Sequence, residues 1–201
     1  MNETLKRALS GSVYVAIMWF GTFCSELSFH ILFAVILLVC LYEMYKLRKG
    51  KTKILAFLYL LSPLLLVHFI KTELVLLMFI LTWTFDTFAY LVGVKFGKHK
   101  IMPTVSPKKS WEGFVGGFIF TVIAAYLTVS YFSEIELSQA IIISLFLPFT
   151  ATLGDFIESH YKREAGVKDS GNFIPGHGGM LDRMDAFMFT IPALYIYLKL
   201  I

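Results

Sequence analysis

The 201 residues are 57% hydrophobic and only 16% charged, with a mean hydropathy of +0.72, which lies outside the range of soluble globular domains. Twenty Phe, ten Tyr and three Trp exceed what the core of so small a chain can hide, whereas a bilayer accepts apolar surface on every side. A water-soluble enzyme and a disordered tail are therefore excluded, and the formal charge of +4 is explained first by membrane topology rather than by nucleic acid.

Hydropathy predicts an all-α, polytopic integral membrane protein with about seven transmembrane helices, at 9–25, 27–45, 54–70, 74–94, 113–132, 138–157 and 183–201. Each is close to the about 20 residues that cross about 30 Å of hydrocarbon. Lys6-Arg7 followed by an apolar run imitates a signal peptide, but no small-residue cleavage site follows around Cys24-Ser25-Glu26, so the segment reads as a retained first helix. Cys24 and Cys40 have no partner at metal-ligand or framework spacing and read as small hydrophobes. Taken alternately, the loops on one side hold sixteen of the 18 basic residues, leaving Lys71 and Lys199 on the other, where Glu26, Glu73, Glu134 and Glu136 lie. The positive-inside rule then puts the N-terminus in the cytoplasm and, with seven spans, the C-terminus outside.

Composition divides the chain into N-terminal transmembrane helices at 1–80 and a catalytic transmembrane domain with cytoplasmic loops at 81–201, because all five Asp and eleven of the 14 Gly fall in the second part. Asp86 sits in Trp83-Thr84-Phe85-Asp86-Thr87-Phe88-Ala89-Tyr90, where an acid in an apolar helix costs at least about 2.5–3.5 kcal/mol and needs a partner or a polar cavity. It is either functional or a structural carboxylate bonded to a neighbouring helix. In Ser106-Pro107-Lys108-Lys109-Ser110-Trp111-Glu112-Gly113, Pro107 punctuates a loop, Ser110 can cap the next helix and two lysines offer mobile charges for phosphate. The lysines also suit anionic headgroups or simple topology. Gly113 and Gly117 suit close helix approach.

The segment from Gly154 through Asp185 is dense in charges of both signs. Asp155 and Ser159 share a helical face at i,i+4, and Asp182 and Asp185 another at i,i+3. Two helix ends can thus converge oxygens on a hard divalent cation; oxygen donors without cysteine favour Mg²⁺ or Mn²⁺ bridging to substrate phosphates. His160 and His177 read as hydrogen-bonding or structural residues rather than ligands. Gly176, Gly178 and Gly179 allow a tight turn.

The run Ser159 to Asp185, with Lys162-Arg163, Lys168-Asp169, Pro175-Gly176-His177-Gly178-Gly179 and Asp182-Arg183-Met184-Asp185, resembles the signature of the phosphatidate cytidylyltransferase (CDP-diacylglycerol synthase) family. Asp86, Ala89-Tyr90, Gly93, Gly97-Lys98 and Ser106-Pro107-Lys108-Lys109-Ser110 resemble it in the same order, so the likeness covers about 82–187. The N-terminal helices are shorter than is typical for the family. The resemblance implies transfer of the cytidylyl group of CTP to phosphatidate in the bilayer of the inner cell membrane, at a site facing the cytoplasm. It implies a catalytic set of Asp155, Asp182, Asp185, Lys162 and Arg163, and substrate contacts from Asp86, Tyr90, Ser106, Lys108, Lys109, Ser159, Lys168, Asp169, His177, Gly178, Gly179 and Arg183. It further implies Mg²⁺ as cofactor, held by Asp155 and Asp182, with a second cation or Mn²⁺ admissible. A homodimer is one assembly the sequence allows, and no nucleic acid is expected. The rival readings are a CTP-dependent isoprenoid lipid kinase and a transporter of anionic solutes; the absence of an internal repeat weighs against the latter.

Overall fold

The computed structural model describes residues 3–103 and 105–201. In chain order the elements are α1 (Glu3–Phe23), α2 (Glu26–Leu47), α3 (Ile54–Leu66), α4 (Thr72–Phe96), β1 (Lys100–Met102), β2 (Ser106–Ser110), α5 (Trp111–Thr128), α6 (Leu137–Glu164), α7 (Leu181–Met184) and α8 (Phe187–Leu200). Single 3₁₀ turns prolong α3 to Phe69 and α5 to Tyr131.

Among the described residues, four helices are long and apolar enough to cross a membrane: Glu26–Leu47, Thr72–Phe96, Trp111–Tyr131 and Leu137–Glu164. The seven expected spans fall on α1–α6 and α8, but only those on α2, α4, α5 and α6 meet that description: α1 is not among them, and α3 and α8 have only 13 and 14 residues, short of the about 20 needed to cross. The outward faces of the long helices are apolar, as at Leu38, Trp83, Val94, Leu127 and Phe149, which is the surface that lipid rather than water accepts.

Local chemistry sets the helix ends. Ser25 and Ser28 form a reciprocal capping box at α2, each hydroxyl taking the other's backbone N–H at 3.0 Å, and the Ser110 hydroxyl accepts the Gly113 N–H at the start of α5, as its position in sequence predicts. Packing inside lipid gains little from hydrophobicity, so close backbone approach must replace it. On α5, a Cβ added at Gly113 would stand 2.5 Å from the Ala89 carbonyl oxygen, and one at Gly117 would stand 2.8 Å from that of Phe85, so these glycines let α5 lie directly on α4. One apolar core runs through the bundle, with Phe33, Met44, Leu60, Leu77, Leu81, Ile143, Leu147 and Leu181 at its centre.

Three features depart from the sequence expectations. Residues 106–110 form not a loop but a strand, paired antiparallel with β1 in the register Lys100↔Ser110 and Met102↔Ser106. The backbone closes this hairpin at its base through Trp111 N–H to His99 O at 2.9 Å, so apolar alternation was not needed to form it. Helix α6 continues to Glu164 rather than stopping at 157, since Glu158, Ser159 and Lys162 of its polar last turns are buried against protein while His160, Arg163 and Glu164 face outward. The final helix begins at Phe187, not 183: Asp185 accepts the Ala186 N–H on its own carboxylate, and the chain makes a separate short turn, α7, before it.

Candidate active site

The last turns of α6 are the spine of the site. Asp155, Glu158, Ser159 and Lys162 lie on one side of it, and Gly154 brings that side against the chain after α7, because a Cβ there would collide with the Asp185 carbonyl oxygen. Carboxylate oxygens of Asp155, Glu158 and Asp185 consequently lie within 4.8 Å of one another. Glu158 is fully buried, and its Oε1 has neither a hydrogen-bond nor an ion-pair partner among the described residues. Its Oε2 is 2.5 Å from Lys162 Nζ, and Asp155 Oδ2 is 2.5 Å from Lys109 Nζ. An unpartnered buried carboxylate oxygen beside two further carboxylates is costly without a cation, and this all-oxygen set suits a hard divalent ion. A metal therefore fits Asp155, Glu158 and Asp185.

Asp182 is differently engaged. Its Oδ1 takes Lys162 Nζ at 2.7 Å, and its Oδ2 takes the Gly179 N–H at 2.7 Å, the Ser170 N–H at 2.9 Å and the Ser170 hydroxyl at 3.0 Å. Burial pushes its carboxyl up, but the Lys162 ammonium and the Gly179 N–H outweigh this and hold it below its ordinary value. Asp182 thus ties the 170–179 loop to α6, and the geometry gives its acceptors to that task. Asp185, in the turn between α7 and α8, differs: burial and the charges of Asp155 and Asp86 push its carboxyl well above its ordinary value. Crowded acids of this kind mark sites that hold cations or protons.

Two cavities meet at this cluster, and Asp86 borders both. The first, about 600 Å³, is walled by the hairpin and α4 and α5; Tyr90, Lys100, Ser106, Lys108, Lys109 and Asp155 line it. The second, about 380 Å³, runs between α1 and α4, with Tyr14, Met18, Trp19, Phe79 and Trp83 on its apolar walls and His177, Asp182, Arg183 and Asp185 at its polar end. Arg183 donates to the His177 carbonyl oxygen through Nε at 3.2 Å and Nη2 at 2.8 Å. The His177 ring pairs through Nδ1 with Ser10 of α1 at 3.1 Å, and Ser10 also donates to the Pro175 carbonyl at 2.7 Å. His177 is thereby fixed as part of the loop's frame. Gly176 and Gly178 take φ of 79° and 83°, which only a residue without Cβ adopts freely.

Of the sequence-derived residues, the structure brings together Asp86, Tyr90, Ser106, Lys108, Lys109, Asp155, His177, Asp182, Arg183 and Asp185 around the two cavities, with Lys162 bridging acids beneath them. Gly178 and Gly179 pack against Asp182 and Ser170. Ser159 is buried and lines neither cavity. Arg163 donates to the Val167 carbonyl oxygen and closes the end of α6, while Lys168, Asp169 and His160 are exposed and outside both linings. Sequence reasoning passed over Glu158, although its i,i+3 spacing from Asp155 was available as a signal. It also passed over Lys100, which only the hairpin pairing brings to the cavity.

A family model described as "Cytidylyltransferase family" matches residues 54–201. The phosphatidate cytidylyltransferase of Thermotoga maritima is 47% identical over 126 residues, covering 60% of this chain and 47% of that protein. Those of Staphylococcus saprophyticus and Staphylococcus aureus are each 46% identical, over 125 and 126 residues, covering 62% of this chain and 48% of theirs. The chain spans about half the length of the curated relatives it matches.

Proposed function

The chain belongs to the cytidylyltransferase family, and on that premise we propose that it transfers the cytidylyl group of CTP to phosphatidate, giving CDP-diacylglycerol and pyrophosphate. The observation that carries this reading is the meeting of a lysine-lined cavity and an apolar cavity at one cluster of carboxylates. A phosphate oxygen of phosphatidate bonds to the α-phosphorus of CTP, and the bond between that phosphorus and the β-bridging oxygen breaks, so pyrophosphate carries away the electron pair. The attacking oxygen is already ionised at neutral pH, and no general base is required.

Catalysis is then positioning and charge neutralisation. Lys100, Lys108 and Lys109 on the hairpin receive the triphosphate, while Arg183 receives the lipid phosphate with its acyl chains along the α1/α4 cavity. Asp155, Glu158 and Asp185 would hold Mg²⁺, which would supply positive charge against the triphosphate and the pyrophosphate leaving group. Lys162 keeps Glu158 and Asp182 in place. The sixteen basic residues that the expected topology gathers in alternate loops support a site facing the cytoplasm, and the family resemblance supports the inner membrane.

The test is one substrate labelled in two places. Extracted lipid should acquire label from α-labelled CTP and none from γ-labelled CTP, with phosphatidate and Mg²⁺ required and chelation abolishing transfer. Transfer of γ-label without α-label would instead identify a lipid kinase. CTP binding without any covalent product would remove the transferase reading.

A further inference from the structure

Helix α2 lies outside the residues matched by the family model, yet it sends one buried acid into the signature loop. Glu43 is 4% exposed, one turn before the end of α2. Its Oε1 accepts the Met180 N–H at 3.0 Å, and its Oε2 accepts the Leu181 N–H at 2.9 Å and the Ser170 hydroxyl at 2.9 Å. No ion pair of Glu43 is found among the described residues, so these donors are what compensates its burial. The fit leaves no slack, since a Cβ added at Gly171 would stand 2.6 Å from Oε1, and one at Gly179 would also meet this carboxylate.

The consequence lies four residues on. The N–H groups of Met180 and Leu181 open α7 and have no partner within the helix; Glu43 supplies one from a different helix and so fixes the height and rotation of the turn that carries Asp182 and Asp185. Ser170 links the two carboxylates, its single hydroxyl lying 2.9 Å from Glu43 Oε2 and 3.0 Å from Asp182 Oδ2. Asp155 and Glu158 ride on α6, but Asp185 reaches them only through this turn. We infer that Glu43 is a positioning residue that sets Asp185 against Asp155 and Glu158 and thereby sets the affinity of the carboxylate cluster for a divalent cation. The inference rests on the metal reading proposed above.

Glu43→Gln keeps the size and removes one acceptor. Whichever way the amide turns, its NH₂ faces either the Met180 N–H or the Leu181 N–H and the Ser170 hydroxyl, and in so buried a place water cannot intervene. The full chain in detergent is titrated with Mn²⁺ alone, and bound ion is read from loss of the free-ion paramagnetic resonance signal, with no turnover needed. Glu43→Gln should weaken Mn²⁺ binding at least tenfold. Glu43→Asp, which keeps both acceptor oxygens one methylene short, should recover part of that loss, and Ser170→Ala should weaken binding by a smaller factor. Met44→Ala, which loses buried packing at the next residue, should leave the binding curve unchanged.

Wild-type affinity in folded Glu43→Gln would overturn the positioning role and leave the metal reading intact. Equal weakening in Met44→Ala would overturn it as well, by reducing the effect to general stability. Should Glu43→Gln not fold, unchanged binding in Glu43→Asp and Ser170→Ala overturns the role. Absence of Mn²⁺ binding in the wild type would remove the metal reading and this inference with it.

Discussion

Lys162 should be among the least replaceable side chains of the bundle for stability. Its ammonium stands 2.5 Å from Glu158 and 2.7 Å from Asp182, and the three side chains are 10%, 0% and 7% exposed. Those exposures decide the magnitude. An exposed pair would contribute about 0–1 kcal/mol, but removing one partner from a buried pair costs about 3–5 kcal/mol, because the charge left behind is unsolvated. Lys162→Met leaves two such charges. At about 2–4 °C per kcal/mol for a chain of this size, the melting temperature of the purified protein should fall by about 6–20 °C. Lys168→Met, at an exposed position, should stay within about 2 °C on the scale of ordinary surface changes. Adding Glu158→Gln to Lys162→Met should restore part of the loss, since contacting residues couple by about 0.5–3 kcal/mol. A Lys162→Met protein that melts with the wild type would refute the view that this lysine holds the acids together.

Cysteine introduced at position 134 should be labelled from outside the cell, while cysteines at 50 and 170 should react only once the cytoplasm is accessible; the reverse pattern would invert the bundle. Gly154→Ala should reduce CTP-dependent transfer at least about a hundredfold while circular dichroism retains the helical signal, because the added methyl pushes α6 off the Asp185 backbone and a misplacement of about 1 Å is enough for such a loss. Full activity in that variant would mean that the contact does not set the cluster.

Hydropathy alone located the helices, because lipid-facing segments must be apolar throughout and that signal needs no partner. What it could not locate was structure made by polar contact. The β1/β2 hairpin has no apolar face to read, and its strands are held by backbone bonds and by Glu112, whose carboxylate accepts the Lys98 and His99 N–H groups at 3.1 and 3.2 Å. The far end of α6 was lost for the related reason that its charges face other charges. Asp86, Asp155 and Asp185 were legible as carboxylates in the wrong solvent. The same rule, applied to Val39-Cys40-Leu41-Tyr42-Glu43-Met44, would have found Glu43, but composition had directed attention to residues 81–201. That Asp155 pairs with Lys109 while Asp182 pairs with Lys162 and the 170–179 loop could not be read from spacing, because i,i+3 and i,i+4 relations say which residues share a face and not which partner each takes.

Charge balance is the step that joins the fold to the proposed chemistry. Asp86, Asp155, Glu158, Asp182 and Asp185 are gathered within the bundle, and among the described residues the ammonium groups in contact with them are those of Lys109 and Lys162. Arg183 borders the second cavity with its guanidinium on the His177 carbonyl. Five acids against so few cations are tolerable only if some are protonated or if a further cation joins them. Protonation would spend the site's negative charge; a divalent cation would keep it and turn it toward phosphate. The lysines support the second reading, because Lys108 and the neighbouring Lys109 lie on a hairpin outside the helices and line the same cavity as Asp155. A triphosphate entering that cavity would meet the hairpin lysines and, with a divalent cation held at the carboxylates, a second positive charge, which suits the proposed displacement at its α-phosphorus.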